Sequence, residues 1–115
     1  MLQSIVYASK GIRYTFMHEK NFRLEIYIAI LVVLLGICFK LNNIEWLFIC
    51  SAIFRVLSYE TVNTSVESLS DVCEKKKDID IRHIKDTSAA YVLLSVMYSI
   101  VIGLVIFTPK IINLW

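Results

Sequence analysis

Three apolar blocks, at about residues 24–39, 44–62 and 89–108, leave this chain of 115 residues little choice of fold. Each approaches the roughly 20 residues that a membrane-spanning helix needs. One proline and three glycines are few turn residues for a soluble domain of this size, and a 57% hydrophobic content is too high for one. The first block is short in its strictly apolar part, and Arg55 interrupts the second. Tilt and snorkelling absorb defects of that size. The expectation is an all-α membrane protein with three transmembrane helices.

Residues 1–23 are polar and basic and lack a long apolar core, so no cleavable signal peptide is expected. The first span then acts as its own insertion signal. Lys10, Arg13, Lys20 and Arg23 precede that span, and Lys75, Lys76, Lys77, Arg82 and Lys85 lie between the second and third. The short first loop holds only Lys40, and the tail only Lys110. This asymmetry predicts a multi-pass membrane protein with a cytoplasmic N-terminus, a cytoplasmic second loop and an external C-terminus. The formal charge of +2 is too small to suggest nucleic acid. Topology and anionic headgroups account for the basic clusters.

Residues 2–20 read as an amphipathic surface helix, with Leu2, Ile5, Val6, Ile12, Phe16 and Met17 apolar and Lys10, Arg13 and Lys20 polar. Asn42-Asn43 reads as the external turn, followed by Trp46 as an interfacial anchor. The second long helix is expected to run to about Cys73, because no breaker interrupts residues 63–72. Residues 74–80 read as a polar cytoplasmic turn, and Pro109 as the stop of the last helix. Cys38, Cys50 and Cys73 lack metal or disulfide spacing and read as small apolar fillers. The whole chain, 1–115, forms one domain on this reading. Three spans with short loops enclose little space, so a homo-oligomer is the natural way to build a site.

Glu60, Asn63 and Glu67 carry the chemistry. Offsets of three and seven stack them on one helical face, at the cytoplasmic edge of the second block. Ionisable groups at such depth are costly and usually functional. Two carboxylates with an amide between them suit a divalent cation and can also take a proton. A solvated helix end explains Asp71 more easily than Glu60. Glu19 can approach Glu67 across the cytoplasmic edge, giving a hard-oxygen site suited to Mg²⁺. Glu25 reads as a surface partner of Lys20 or Arg23. Lys85 is either a positive-inside anchor or a point charge for phosphate. The small residues Ser88-Ala89-Ala90 that follow permit close approach of a helix or ligand. Arg55 lies five positions before Glu60, a poor helical pairing distance, and either snorkels or pairs within an oligomer. His18 and His83 read as surface groups. Gly11, Gly36 and Gly103 are isolated, so no phosphate-cradling glycine loop is present.

Taken in order, Ala8-Ser9-Lys10-Gly11-Ile12-Arg13, Glu19-Lys20-Asn21-Phe22-Arg23, the run from Glu60 to Glu67 with Asp71, and Lys85-Asp86 with Ala89-Ala90 form a specific set. With it the chain resembles the prokaryotic diacylglycerol kinase and undecaprenol kinase family of membrane lipid kinases, over nearly its whole length. The resemblance implies a homotrimer of three-span protomers, each with a surface helix. It implies Mg²⁺-ATP-dependent phosphorylation of a lipid alcohol. Glu60 is then the general base, with Asn63 ordering the site. Glu19 and Glu67 hold Mg²⁺ bound to ATP. Tyr7, Lys85 and Asp86 join them in the nucleotide site, and Phe22 and Arg23 lie where the lipid approaches Glu60.

The chain departs from the family pattern at Thr87-Ser88, at Tyr91 and in the basic loop Lys75–Lys77. Glu45-Trp46 and the ending Ile102 to Phe107 with Pro109-Lys110 look more like the undecaprenol branch, and diacylglycerol is the alternative acceptor. A different class, a non-catalytic membrane subunit or small transporter component, would use the same polar stripe for assembly or proton passage.

Overall fold

The computed structural model describes residues 1–73 and 79–114 and is entirely helical there. Four helices follow in order: α1 (Leu2–His18), α2 (Lys20–Cys38), α3 (Asn43–Cys73) and α4 (Ile79–Ile112). Of these, α2 and α4 are long and apolar enough to cross a membrane. The expected third span falls on α3, where Arg55, Glu60 and the polar run after it dilute the apolar content.

Each junction has a local cause. Between α1 and α2 a single extended residue, Glu19 (φ −109°, ψ 112°), breaks the helix. Its N–H donates to the Thr15 carbonyl at 2.8 Å, and its own carbonyl accepts from the Arg23 N–H at 3.3 Å. The Arg23 guanidinium turns back and donates to the Phe16 and Met17 carbonyls at 2.7 and 3.0 Å, satisfying the frayed end of α1. The α2 end is a Schellman arrangement: the Leu41 N–H reaches the Gly36 carbonyl and the Lys40 N–H the Ile37 carbonyl, both at 3.2 Å. Lys40 takes the left-handed conformation there, with φ 53°. A capping box then starts α3. The Asn42 side-chain oxygen accepts from the Glu45 N–H at 2.8 Å, and Glu45 Oε1 accepts from the Asn42 N–H at 3.1 Å. The predicted Asn42-Asn43 turn is thus a cap and the first residue of a helix.

Helices α3 and α4 form a long antiparallel pair. Contacts run from Glu45–Lys110 (3.2 Å) through Ser51–Tyr98, Ala52–Ser99 and Tyr59–Tyr91 to Asp71–Lys85 (2.6 Å). At the α2–α3 end, Leu41, Ile49 and Ile106 make an apolar core with Trp46, Phe39 and Phe107 around it. Gly36 admits the Trp46 ring: a Cβ there would lie 2.7 Å from it. Toward the other end of α3 the interior turns polar, with Glu60, Asn63, Thr64 and Ser70 buried. Most large apolar side chains of α2 and α4 face outward, the reverse of a water-soluble bundle.

Two expectations need correction. Pro109 lies inside α4, which continues to Ile112. Proline removes one backbone donor, a loss that membrane helices tolerate, and the Asn113 N–H still reaches the Pro109 carbonyl at 3.0 Å. The three cysteines are free and exposed on the protomer, so they fill no core of this chain. Of the expected 74–80 turn, Ile79 and Asp80 open α4; residues 74–78, with the Lys75–Lys77 cluster, lie outside the described residues.

Candidate active site

The site is built where α1 ends, α2 begins and α3 turns polar. Glu60 is 3% exposed and Asn63 8%. Ordinary helix geometry orders this stripe. Thr64 Oγ1 donates to the Glu60 carbonyl at 2.9 Å, removing a hydroxyl that would otherwise be unsatisfied. Asn63 Nδ2 donates to Glu67 Oε1 at 3.3 Å, one turn along the same face. That bond fixes the amide, and Asn63 Oδ1 is left buried with no protein partner.

Glu19 reaches the same place from the α1–α2 joint. The negative charges of Glu19 and Glu67 both act on the Glu60 carboxyl. A fourth carboxylate joins them: Glu25 on α2 is half-buried, feels the Glu60 charge, and has one buried oxygen without a partner. The expected surface pairing of Glu25 with Lys20 or Arg23 is not what the fold gives. Its position three residues after the buried Phe22 turns it toward α3 instead.

Four carboxylates and one orphaned amide oxygen are hard-oxygen donors. Among the described residues no three His, Cys, Asp or Glu side chains stand close enough to hold a metal by themselves. One or two carboxylates completed by phosphate oxygens and water is the usual arrangement for Mg²⁺, and Glu19 and Glu67, whose charges both act on Glu60, are the candidate donors.

The other candidates are placed as follows. Lys85 is ion-paired with Asp71 across α3 and α4, and Asp86 is exposed beside it. Tyr7 is exposed on α1 under the Lys10 ammonium, 5.9 Å from the ring centroid. Phe22 is 3% exposed. It is packed inside the protomer, at the start of α2 and three residues before Glu25. Arg23 is engaged in capping α1. Arg55 stacks over Tyr98, 4.8 Å from the centroid, so its charge rests on an aromatic face. An aromatic on the third block was the only sequence signal for that pairing.

The sequence profile described as "Prokaryotic diacylglycerol kinase" matches residues 6–107. An undecaprenol kinase of Bacillus subtilis (strain 168) is 34% identical over 108 residues, covering 94% of this chain and 88% of the relative. A diacylglycerol kinase of Synechocystis sp. is 26% identical over 115 residues, covering 99% of this chain and 66% of the relative. The matched region holds α3 entire, with Glu60, Asn63 and Glu67, together with Glu19 and the start of α4. A membrane-suited helical chain whose carboxylates gather at one end thus belongs to the prokaryotic diacylglycerol kinase family and is a lipid kinase.

Proposed function

We propose that the chain transfers the γ-phosphoryl group of ATP to undecaprenol at the inner face of a bacterial cytoplasmic membrane. The observation that carries this reading is the gathering of Glu19, Glu60 and Glu67 from two helices and a joint around one buried carboxyl. The similarity to the Bacillus subtilis undecaprenol kinase favours the prenol. Diacylglycerol is the second reading, favoured by the Synechocystis relative.

Glu60 takes the proton of the lipid hydroxyl as its oxygen bonds to the γ-phosphorus and the bond to the ADP oxygen breaks. Its burial keeps it where an alcohol with a membrane-embedded tail can reach it. Asn63 orients the neighbouring carboxylate. Glu19 and Glu67 would hold the nucleotide's Mg²⁺, which when bound would neutralise phosphate charge. Lys85 leaves Asp71 to neutralise the transferred phosphoryl group, with Asp86 beside it, and Tyr7 lies in the nucleotide site. Such chemistry depends on positioning and charge more than on covalent steps. Arg23 sets the α1–α2 joint near the lipid entrance.

On this reading α3 is the third span. Its polar face is covered within the protein, α1 lies on the cytoplasmic surface and the C-terminus is external. One domain covers residues 1–115, and three copies assemble as a homotrimer, which buries part of the apolar exterior. The test is to offer labelled ATP and Mg²⁺ to the protein in vesicles containing either undecaprenol or diacylglycerol. Label in the prenol supports the assignment. Label only in the glyceride moves the chain to the second reading.

A further inference from the structure

Between Gly11 and Gly36 the sequence holds no glycine or proline, and Glu19 and Lys20 are good helix formers. Local propensity favours one straight helix through residues 2–38. The chain bends at Glu19 nonetheless. The bond from the Glu19 N–H to the Thr15 carbonyl and the one from the Arg23 N–H to the Glu19 carbonyl span four residues, as they would in a straight helix. They therefore do not select the bend.

The bonds that a bend removes lie between them. In a straight helix the Phe16 carbonyl accepts from the Lys20 N–H, and the Met17 carbonyl from the Asn21 N–H. With α2 starting at Lys20, those N–H groups belong to the free first turn of a new helix. The two carbonyls they leave are the ones that Arg23 Nη1 reaches, at 2.7 and 3.0 Å. One guanidinium nitrogen stands in for both lost donors, and its bonds are charge-assisted and stronger than those they replace. The Glu19 side chain makes no cap bond to α2. Its charge acts on Glu60 instead.

The bend decides where the Glu19 carboxylate points. Its ψ is 112°. Straightening would turn ψ through about 150° to the helical value and carry Cβ and the carboxylate around the Cα–C bond. It would also lift α1 from α3, which it now touches. We propose that Arg23 is the positioning residue of the cation site: by replacing the two ladder donors lost at the bend, it holds Glu19 in the carboxylate cluster. Arg23 acts through Glu19 and touches neither cation nor lipid. The proposal rests on the reading of Glu19 as a ligand of the nucleotide's Mg²⁺, and adds the residue that aims it.

Amide hydrogen exchange on the full-length protein in vesicles tests this without metal or lipid acceptor. Arg23→Met keeps an apolar stem and removes the donors. It should slow exchange at Lys20 and Asn21 about tenfold, because ladder bonds form there; loss of a hydrogen-bonding residue ordinarily speeds exchange. The same variant should weaken binding of Mn²⁺, a spectroscopic stand-in for Mg²⁺, in the presence of ATP. The expected loss is about tenfold, the scale of losing a group that orients a metal ligand. Lys20→Pro restores the bend by another route. Proline suits the first helical position, offers no N–H to Phe16 and drives the preceding residue to extended backbone. Added to Arg23→Met, it should recover most of the Mn²⁺ binding. Should Arg23→Met not fold, Arg23→Gln, with a neutral donor, takes its place. Unchanged exchange at Lys20 and Asn21 would overturn the proposal. So would a loss of Mn²⁺ binding that Lys20→Pro does not repair, or an effect confined to the KM for lipid, the mark of a residue that touches the acceptor. Failure of the wild type to bind Mn²⁺ with ATP would sink the nucleotide site, and exchange alone would then decide what holds the bend.

Discussion

Lys85 on α4 and Asp71 on α3 are joined by an ion pair of 2.6 Å at one end of a helix pair whose other end is closed by Lys110 and Glu45 at 3.2 Å. The Asp71 side chain is largely exposed, at 68%, so the pair is well solvated on that side. Exposed pairs contribute well under about 1 kcal/mol, and a phosphate can displace this one at little cost. Asp71→Asn should therefore shift unfolding stability by less than about 1 kcal/mol and leave turnover largely intact. Lys85→Met should lower kcat by about a hundredfold or more, as loss of a group that neutralises transition-state charge does. Steady-state kinetics beside thermal melts separate the two effects.

Glu60 makes the sharpest mutational prediction. Glu60→Gln keeps shape and removes the proton acceptor, so turnover should fall by about two to four orders of magnitude. Assembly should be unchanged by size-exclusion chromatography or cross-linking in detergent. Near-normal lipid phosphorylation by this variant would remove Glu60 from the role of base.

Glu25 makes the opposite prediction for stability. Its partnerless buried oxygen faces the charge of Glu60, and such a group is held at a cost of about 1–3 kcal/mol. Glu25→Gln should raise the thermal midpoint. A lower midpoint would mean that the carboxylate is paired in the assembled protein.

Two glycines can be compared directly. At Gly36 a methyl group would meet the Trp46 ring at 2.7 Å and Leu41 at 2.9 Å, whereas at Gly11 it meets nothing within 4 Å. Gly36→Ala should destabilise by about 1–3 kcal/mol, whereas Gly11→Ala should be neutral or stabilising by up to about 1 kcal/mol. Denaturation monitored by circular dichroism checks both.

Removal of divalent cation should stop turnover while leaving the helical signal intact, because the bundle is held by packing, caps and ion pairs. Chelation followed by activity and far-ultraviolet measurements reads both. A collapse of helicity on chelation would assign the cation a structural role.

Much of this was legible in the residues. The extent of α3 to Cys73 followed from the absence of any breaker, and the face shared by Glu60, Asn63 and Glu67 followed from spacing alone. Contacts between helices were not legible. Arg55 needed Tyr98, which lies 43 residues away in sequence on an antiparallel helix whose register no local pattern encodes. Glu25 looked like a surface residue because its neighbours Lys20 and Arg23 are basic; the capping role of Arg23 only emerged with the bend at Glu19. For Phe22 the resemblance implies a place near the approaching lipid, and its burial in the protomer, at 3% exposed, is set by helix packing that no local pattern encodes. Pro109 has the chemistry of a stop in isolation, but α4 carries through it to Ile112.

The single extended residue between α1 and α2 has a mechanical consequence. Glu19 is at once the fulcrum of α1 and a member of the carboxylate cluster. On the proposed reading, with α1 on the cytoplasmic surface, a change in its depth in the leaflet pivots there, so bilayer thickness or headgroup charge moves an oxygen of the site without touching it.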